Sequence, residues 1–292
     1  MIAVAPRDLA LLIGITLIWG INLITNKIGV EEFPPILFTA LRFIFLAIPL
    51  TGFLRIHRGQ MGALSVAALL TGALQFALLL AGLAQVASVS SVAIAGQLGV
   101  PFTTLLSIAL LGEEVRWRRW TGVLLSFGGI VVMGFDPNIG RDWFGLGLVV
   151  ASAFVGSLGV IAVKKLYGFR AFEIQAWFGW ISGPVLLAVS LASEHPTWDT
   201  LRQASTHAWS ALAFTAFGAS MFAHTGYFHL VRRYPVTSVA PVTTLSPVFS
   251  VLISVLWLGE KLTPRLVLGG ICTLIGVLII TLRERRIIDT GS

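Results

Sequence analysis

Charged residues are scarce in this chain. They make up 11% of its 292 residues, whereas hydrophobic residues make up 56%. A soluble domain carries about 25% charged residues, so this chain has too few of them to cover a surface that faces water. The composition argues against a soluble globular protein and indicates a protein embedded in a lipid bilayer.

Cysteine is almost absent as well. Cys272 is the only one, and it lies in an apolar run, so no disulfide can form within the chain. The first apolar run begins at Leu9, is long enough to cross a membrane and has no small-residue cleavage site after it, which argues against a signal peptide. The sequence has no phosphate-binding loop, so ATP-driven pumping by this chain alone is not expected. We expect neither a cofactor nor a bound metal.

Long apolar runs dominate the chain instead. A helix that crosses the hydrocarbon core needs about 20 mostly apolar residues. The sequence predicts ten such transmembrane helices: Leu9–Lys27, Pro35–Leu54, Ala63–Gln85, Val89–Leu111, Trp117–Phe135, Trp143–Val163, Phe172–Ala192, Trp209–Leu230, Val236–Leu258 and Arg265–Leu282. The expected fold class is therefore an all-α integral membrane protein.

The placement of basic residues predicts the orientation of these helices. With the N-terminus in the cytoplasm, 14 Lys and Arg residues lie in cytoplasmic connections, 5 lie in outer ones, and Arg42 lies within the second helix. Cytoplasmic connections carry an excess of Lys and Arg, so both termini are predicted to be cytoplasmic. The same placement explains the net charge of +7 without nucleic acid, because the basic residues form no continuous face.

An internal repeat divides the chain. Ser91–Val132 matches Ser238–Ile279 without a gap when the numbering is shifted by 147, and the identities include glycines, a glutamate and an arginine. A duplication of this kind is typical of transporter folds. The repeat divides the ten predicted helices into two halves of five, residues 1–136 and 137–292. Because five is an odd number, the two halves are predicted to insert in opposite directions as inverted repeats.

Several motifs occur in the order found in one family of membrane proteins. They are Trp19-Gly20, Leu41-Arg42-Phe43, Leu111-Gly112-Glu113 and Leu258-Gly259-Glu260. With these motifs and the duplication, the chain resembles the drug/metabolite transporter superfamily and its ten-helix EamA-type branch. Within that branch it looks most like the bacterial exporters of aromatic and other neutral amino acids.

The resemblance implies a fold and a function. Helices one to four and six to nine would surround a central cavity, with helices five and ten at the periphery, where they could form a homodimer contact. The chain would be a multi-pass protein of the inner membrane that exports small neutral metabolites, amino acids and aromatic ones included, by alternating access. Its partners would be the small-molecule substrate and the lipid bilayer. Export of drugs or other metabolites is the alternative within the same superfamily.

Uncharged polar side chains within the apolar runs are the first candidates for a substrate site. Asn22 shares a helix face with Trp19. Gln75 and Gln97 lie inside the third and fourth predicted helices, and Thr244 is the repeat partner of Gln97. Amides and hydroxyls suit a zwitterionic or polar neutral ligand, although hydrogen bonds between helices are a common use of these residues in membranes.

Two ionisable side chains lie deep in the predicted helices. Arg42 could meet a substrate carboxylate through a bidentate contact, or it could pair with a backbone carbonyl or snorkel to the outer interface. His224, with Tyr227 one turn further on, could take up a proton near neutral pH, or it could be a satisfied, neutral histidine. No Asp or Glu lies mid-membrane, which favours a facilitator, or coupling through His224 or a helix-end carboxylate.

Aromatic residues and prolines complete the candidate set. Trp177 and Trp180 share one helix face and are predicted to form a wall that stacks on aromatic ligands, with packing against lipid as the alternative. Pro101 and Pro247 interrupt the fourth and ninth predicted helices at nearly matching depths, and Pro241 adds a second break. Because proline bends a helix, Pro101 and Pro247 are candidate hinges. Prolines that are tolerated without motion are the alternative.

Two other classes of protein compete with a transporter. Gly218-Ala219-Ser220 with His224 faintly resembles a membrane serine protease, but both side chains lie on one helix and no oxyanion donor is evident. An intramembrane enzyme is therefore a remote alternative. A structural or receptor subunit would need a partner, and the chain has no extended soluble segment to bind one.

Overall fold

The structure, a computed structural model, describes residues 5–112, 117–136, 142–234, 239 and 242–282. These residues form helices joined by turns and short connections, and no strand occurs among them. A backbone inside a bilayer must satisfy its own hydrogen bonds, and a helix does so within a single segment. The all-helical class expected from the sequence is confirmed for this part of the chain.

Ten long helical segments run through the described residues. They are α1 (Pro6–Glu32), α2 (Pro35–Leu50), α3 (Met61–Gln85), α4 (Val89–Ala95 and Gly99–Leu111), α5 (Trp117–Gly134), α6 (Trp143–Lys164), α7 (Ala171–Ser193), α8 (206–233), α9 (Leu245–Leu258) and α10 (Pro264–Leu282). A short helix, Trp198–Gln203, precedes α8. Among the described residues, seven of these helices are long and apolar enough to cross a membrane, namely α1, α2 with the turn that follows it, α3, α4, α6, α7 and α10. Ten crossings remain a prediction.

Most helix boundaries lie within a few residues of the predicted ones. The first helix is longer than the expected Leu9–Lys27, since Pro6 fits its first turn, where a missing amide hydrogen costs nothing. The ninth predicted helix, Val236–Leu258, is described as a continuous helix only from Leu245. Pro241 and most of the stretch before it lie outside the described residues.

Gly112 and Gly259 end α4 and α9 in the same way. Their φ angles of 67° and 66° are left-handed, a conformation in which any other residue is strained. The amide of each donates to a carbonyl five residues earlier. This local requirement explains why a glycine stands at the centre of the Leu-Gly-Glu motif at both places. Glu113, which follows the first glycine, lies outside the described residues.

The helices pack in a symmetrical set of pairs. α5 packs on α10, α2 on α7 and α4 on α9. In addition, α3 packs on α6, and the corresponding pair is α8 on α1. Likewise, α1 packs on α9, and the corresponding pair is α6 on α4. Exchanging α1–α5 with α6–α10 in order maps every one of these pairs onto itself or onto another of them.

The α5–α10 pair meets through small residues, which we call the glycine crossing: Gly122, Ser126 and Gly129 on α5, and Gly269, Thr273 and Gly276 on α10. A Cβ atom added at Gly122 would lie 2.8 Å from the carbonyl oxygen of Gly276, so the backbones are too close for any larger residue. Both hydroxyls of the crossing donate to carbonyls, that of Ser126 to Gly122 (2.9 Å) and that of Thr273 to Gly269 (2.8 Å). Small residues allow this close approach in membranes. The small-residue faces of α5 and α10 are therefore occupied within the chain itself.

Two π-helical segments interrupt the α-helices at matching positions. They are Ala68–Leu74 in α3 and Phe214–Ala223 in α8. The repeat shift of 147 carries residues 68–74 onto 215–221, inside the second segment. A π turn holds an extra residue and is frequent at functional sites. Nothing in the local sequence pattern predicts either segment.

Helix breaks precede the two candidate hinge prolines. A 3-10 turn at Gly96–Leu98 divides α4, and Pro101 is the third residue of the segment that follows. Pro247 is likewise the third residue of α9. Proline is tolerated in the first turn of a helix, so each proline lies just after a break and does not kink a continuous helix. Motion at these breaks remains a prediction.

The two ends of the bundle are held by different contacts. We call the end where α1 begins and α8 ends the proximal end; there the Tyr234 hydroxyl donates to Asp8 (2.6 Å). The opposite end is the distal end. At the distal end Glu260 accepts hydrogen bonds from the backbone amide and the hydroxyl of Ser90 (3.2 and 2.8 Å), which ties the end of α9 to the start of α4. Lys27, near the end of α1, donates to the carbonyls at the end of α3.

Candidate functional site

A cavity of about 600 Å³ lies among α3, α4, α6 and α8. It extends from Gln75 and Gln97 to Arg119, near the start of α5, and Thr281, near the end of α10. Because α5 begins and α10 ends at the proximal end, the cavity reaches that end of the bundle. Such a volume suits a small metabolite.

Two glutamines contribute to the cavity wall. Gln75 on α3 and Gln97 on α4 both line it, and neither side chain has a hydrogen-bond partner within the described part of the chain. An amide carries both donors and an acceptor, so together they can bind a ligand that has groups of both kinds. Among the sequence-based candidates, the structure brings these two together with His224 and Tyr227 around one space.

His224 and Tyr227 form the α8 side of the cavity together with Trp19 behind them. The Trp19 ring centroid lies 5.2 Å from that of His224 and 5.3 Å from that of Tyr227. Nδ1 of His224 lies 2.7 Å from the carbonyl oxygen of Ala219, which can only accept, so Nδ1 donates. In a neutral ring the other nitrogen, Nε2, is then an acceptor. Nε1 of Trp19 is buried and has no partner among the described residues.

Arg42 lies one layer behind the cavity wall. Its side chain is 2% exposed, and its guanidinium stacks on Phe76 at 4.1 Å from the ring centroid. Phe76 lines the cavity. The Nε atom of Arg42 donates to Ser220 (3.0 Å), whereas Nη1 is buried without a partner in the described structure. An arginine buried without a carboxylate beside it is costly in a membrane, so this one is a strong candidate for a function.

The remaining sequence-based candidates lie elsewhere. Asn22 and Thr244 do not line this cavity, although Oδ1 of Asn22 is buried without a partner in the described residues. Trp177 and Trp180 lie near the end of α2, where their indoles donate to the Arg55 carbonyl (2.9 Å) and to the Thr51 hydroxyl (3.2 Å). Their stacking on an aromatic ligand stays a prediction, and it would need a surface other than this cavity.

Sequence reasoning missed several cavity residues on α3 and α6. Thr71, Phe76, Gly156 and Ser157 all line the cavity. Gly156 and the neighbouring Gly159 face the polar side chains of α3. The three-residue spacing of two glycines in an apolar run was a signal for close helix packing, but it does not show which helix packs there.

The serine and histidine that resemble a protease pair are engaged separately. The Ser220 hydroxyl donates to the carbonyl of Thr215 (2.9 Å) and accepts from Arg42, while His224 contacts the Ala219 carbonyl. No hydrogen bond joins Ser220 to His224 in the described structure. A nucleophile needs its base within hydrogen-bond reach, so this geometry gives no support to hydrolysis.

Comparison with known proteins places the chain in a family. The EamA-like transporter family matches residues 8–135 and 143–282. The chain therefore belongs to the EamA-like transporter family, within the drug/metabolite transporter superfamily. It is accordingly a multi-pass protein of the inner membrane.

Individual relatives are distant. A probable amino-acid metabolite efflux pump of Escherichia coli (strain K12) is 26% identical over 98% of this chain and 99% of its own length. The protein of the same name in Salmonella typhimurium is 26% identical over 94% of both chains. An uncharacterized inner membrane transporter of E. coli K12, YedA, is 28% identical over 86% of this chain and 83% of its own. One crystal structure superimposes with a TM-score of 0.65 at 19% identity, covering 97% of this chain and 99% of that chain, which supports the fold alone.

Proposed function

We propose that this protein exports small neutral metabolites, amino acids and aromatic ones included, across the inner membrane by alternating access. The observation that carries the proposal is the cavity, which Gln75 and Gln97, unpartnered in the described residues, line together with His224 and Tyr227. A zwitterion presents donors and acceptors that such a wall can bind. Two relatives that match nearly the whole chain are named as probable amino-acid metabolite efflux pumps, which agrees with this ligand class.

The membrane topology is part of the proposal. Ten transmembrane helices form two inverted repeats, residues 1–136 and 137–292, with both termini in the cytoplasm. The symmetrical helix pairs and the matching π segments support two related halves. The family match, which falls in two stretches of similar length, agrees with them. In inverted repeats, exchanging two slightly different packings between the halves opens the opposite side of the membrane.

This structure then corresponds to an inward-facing state. The cavity reaches the proximal end, which is the cytoplasmic end in the proposed topology. The distal end is closed by the contact of Glu260 with Ser90 and by Lys27 against the end of α3. Export from the cytoplasm begins with substrate entry into such a cavity, and it continues when the distal contacts open.

Charge narrows the range of substrates. None of the residues that line the cavity in the described structure is Asp or Glu, whereas the unpartnered guanidinium nitrogen of Arg42 lies behind Phe76. An uncompensated positive charge attracts a carboxylate and repels a cation. The cavity therefore favours carboxylate-bearing metabolites over organic cations, which makes export of cationic drugs the weaker alternative.

A homodimer through helices five and ten also stays a proposal. Because the small-residue faces of α5 and α10 are occupied by each other, a second copy would pack on their outer, apolar faces. Exposed residues on those faces include Leu124 and Val131 on α5 and Leu268 and Ile271 on α10.

Uptake into liposomes tests the transport function. We expect purified protein in proteoliposomes to accumulate labelled neutral amino acids, with saturation and with little uptake of a quaternary ammonium dye. Gln97→Ala should lower uptake roughly tenfold, since a hydrogen bond to a charged ligand group is worth about 1.5–3 kcal/mol. The matched control is Gln85→Ala, since Gln85 lies on α3, is exposed and bonds only within its own helix. Absence of uptake for the whole amino-acid panel, or equal loss in both variants, would contradict the proposal.

A further inference from the structure

The cavity wall contains a contact between one glycine and one amide. Gly156 on α6 and Gln75 on α3 both line the cavity, and they lie against each other. A Cβ atom added at Gly156 would lie 2.5 Å from Cδ, 2.6 Å from Nε2 and 2.8 Å from Oε1 of Gln75. The amide of Gln75 therefore rests in the space that a side chain at position 156 would fill.

A neighbouring contact between α3 and α6 involves a stiff side chain and backbone instead of a flexible side-chain end. Gly159 faces Thr71 one turn away, and a Cβ atom there would meet the Thr71 hydroxyl, its Cβ and its backbone nitrogen. The threonine side chain is stiff at χ1. Its backbone nitrogen can move only if the helix moves with it. A side chain at position 159 would push α3 and α6 apart. At position 156 the three nearest atoms all belong to the flexible end of the Gln75 side chain, so the fold can be kept while the cavity changes.

We propose that Gly156 is a specificity-determining residue, because it lets the Gln75 amide lie flat against α6 and so leaves the cavity wide enough for large neutral substrates. This inference rests on the proposed transport of neutral amino acids. A larger residue at position 156 moves the amide toward the lumen. The lumen then narrows at the level of Gln75, and uptake falls more for large ligands than for small ones.

The first test measures uptake by size of substrate. We expect Gly156→Ala to lower uptake of tryptophan roughly tenfold relative to alanine, the size of effect that one misplaced methylene has in a binding pocket. The control is Gly147→Ala on the same helix, where a Cβ atom would meet nothing within 4 Å. Equal ratios of tryptophan to alanine uptake in Gly156→Ala, Gly147→Ala and the wild type would overturn the inference.

A double-mutant cycle identifies the amide as the cause. In a Gln75→Ala background the side chain that Gly156→Ala displaces is gone, so adding Gly156→Ala should leave the ratio of tryptophan to alanine uptake unchanged. If Gly156→Ala lowers this ratio to the same extent with and without Gln75, the amide is not the mediator and the proposal is wrong.

A second readout does not depend on any substrate. Cys272→Ser removes the native thiol, and Gln97→Cys then places a single thiol at the cavity. In that background we expect Gly156→Ala to slow labelling by a bulky methanethiosulfonate several-fold relative to a small one, and Gly147→Ala to leave the ratio unchanged. This arm tests the narrowing even if no amino acid is transported, in which case only the proposed function fails. Unchanged labelling ratios would overturn the inference by themselves.

Discussion

Two helix pairs in this protein both pack through small residues, but they differ in whether their buried polar groups have hydrogen-bond partners. In the glycine crossing of α5 and α10, the hydroxyls of Ser126 and Thr273 both donate to carbonyls, and both lie buried. Where α3 meets α6, the Thr71 hydroxyl is buried without a partner and the Gln75 amide is unbonded in the described residues. Buried polar groups are normally satisfied. The first pair therefore supports the structure, and the second leaves polar groups beside the cavity without a partner in the described residues.

The largest effect is expected in the glycine crossing. Gly129→Leu would force α5 and α10 apart, because a Cβ atom at Gly129 already meets the backbone of Gly269. We expect a loss of about 3 kcal/mol or more in the free energy of unfolding, seen as a lower melting temperature in detergent. Gly128→Leu, at the preceding residue, is the control, since a Cβ atom there meets nothing within 4 Å. Equal melting temperatures for the two variants would remove the structural role assigned to the crossing.

A smaller effect, on transport and not on stability, is expected at Arg42. Arg42→Met removes a buried charge that has no carboxylate beside it in the described structure, so the replacement leaves no partner with an uncompensated charge. We expect an unchanged or higher melting temperature and roughly a tenfold loss of amino-acid uptake, since the positive charge behind Phe76 that attracts a substrate carboxylate is lost. Arg42→Lys should keep part of the uptake. A marked loss of stability in Arg42→Met would mean that the guanidinium holds the fold together.

The smallest effects separate the two helix pairs directly. Thr273→Val removes a satisfied hydroxyl and should lower the free energy of unfolding by about 1 kcal/mol, with little change in uptake. Thr71→Val removes an unpartnered hydroxyl, so stability should hold or rise slightly while uptake falls. Thermal melts and initial uptake rates of both variants check that Thr273→Val mainly affects stability and Thr71→Val mainly affects uptake. The same ranking of the two variants in both assays would contradict the distinction between the pairs.

The sequence is informative where a residue type has one physical use. Gly112 and Gly259 both adopt a left-handed backbone that favours glycine. The same residue is therefore needed at both places, and its recurrence is visible in the sequence alone. Gln75 and Gln97 are conspicuous because an amide in an apolar run must find a partner or a ligand. The all-helical class follows from the apolar runs alone, since a bilayer leaves few alternatives.

The α3–α6 wall could not be predicted for a geometric reason. Helical projection assumes about 100° per residue, and the π segment Ala68–Leu74 breaks that phase between the start of α3 and Gln75. Thr71 lies inside the segment, so its direction cannot be read from periodicity. Trp177 and Trp180 show a related limit. Two indoles on one face indicate a shared surface, but the helix that carries them packs on α2 near Arg55, away from the cavity.

The paired π segments also bear on the order of events in the history of the chain. An extra residue inserted into a helix changes the phase of everything after it, so an insertion is tolerated only where a widened turn absorbs it. If the two proposed repeats arose by duplication of a five-helix unit, widened turns at one matching depth require a single insertion when it came before the duplication, and two independent ones when it came after. Under the proposed duplication, the simpler history makes these widened turns older than the ten-helix chain.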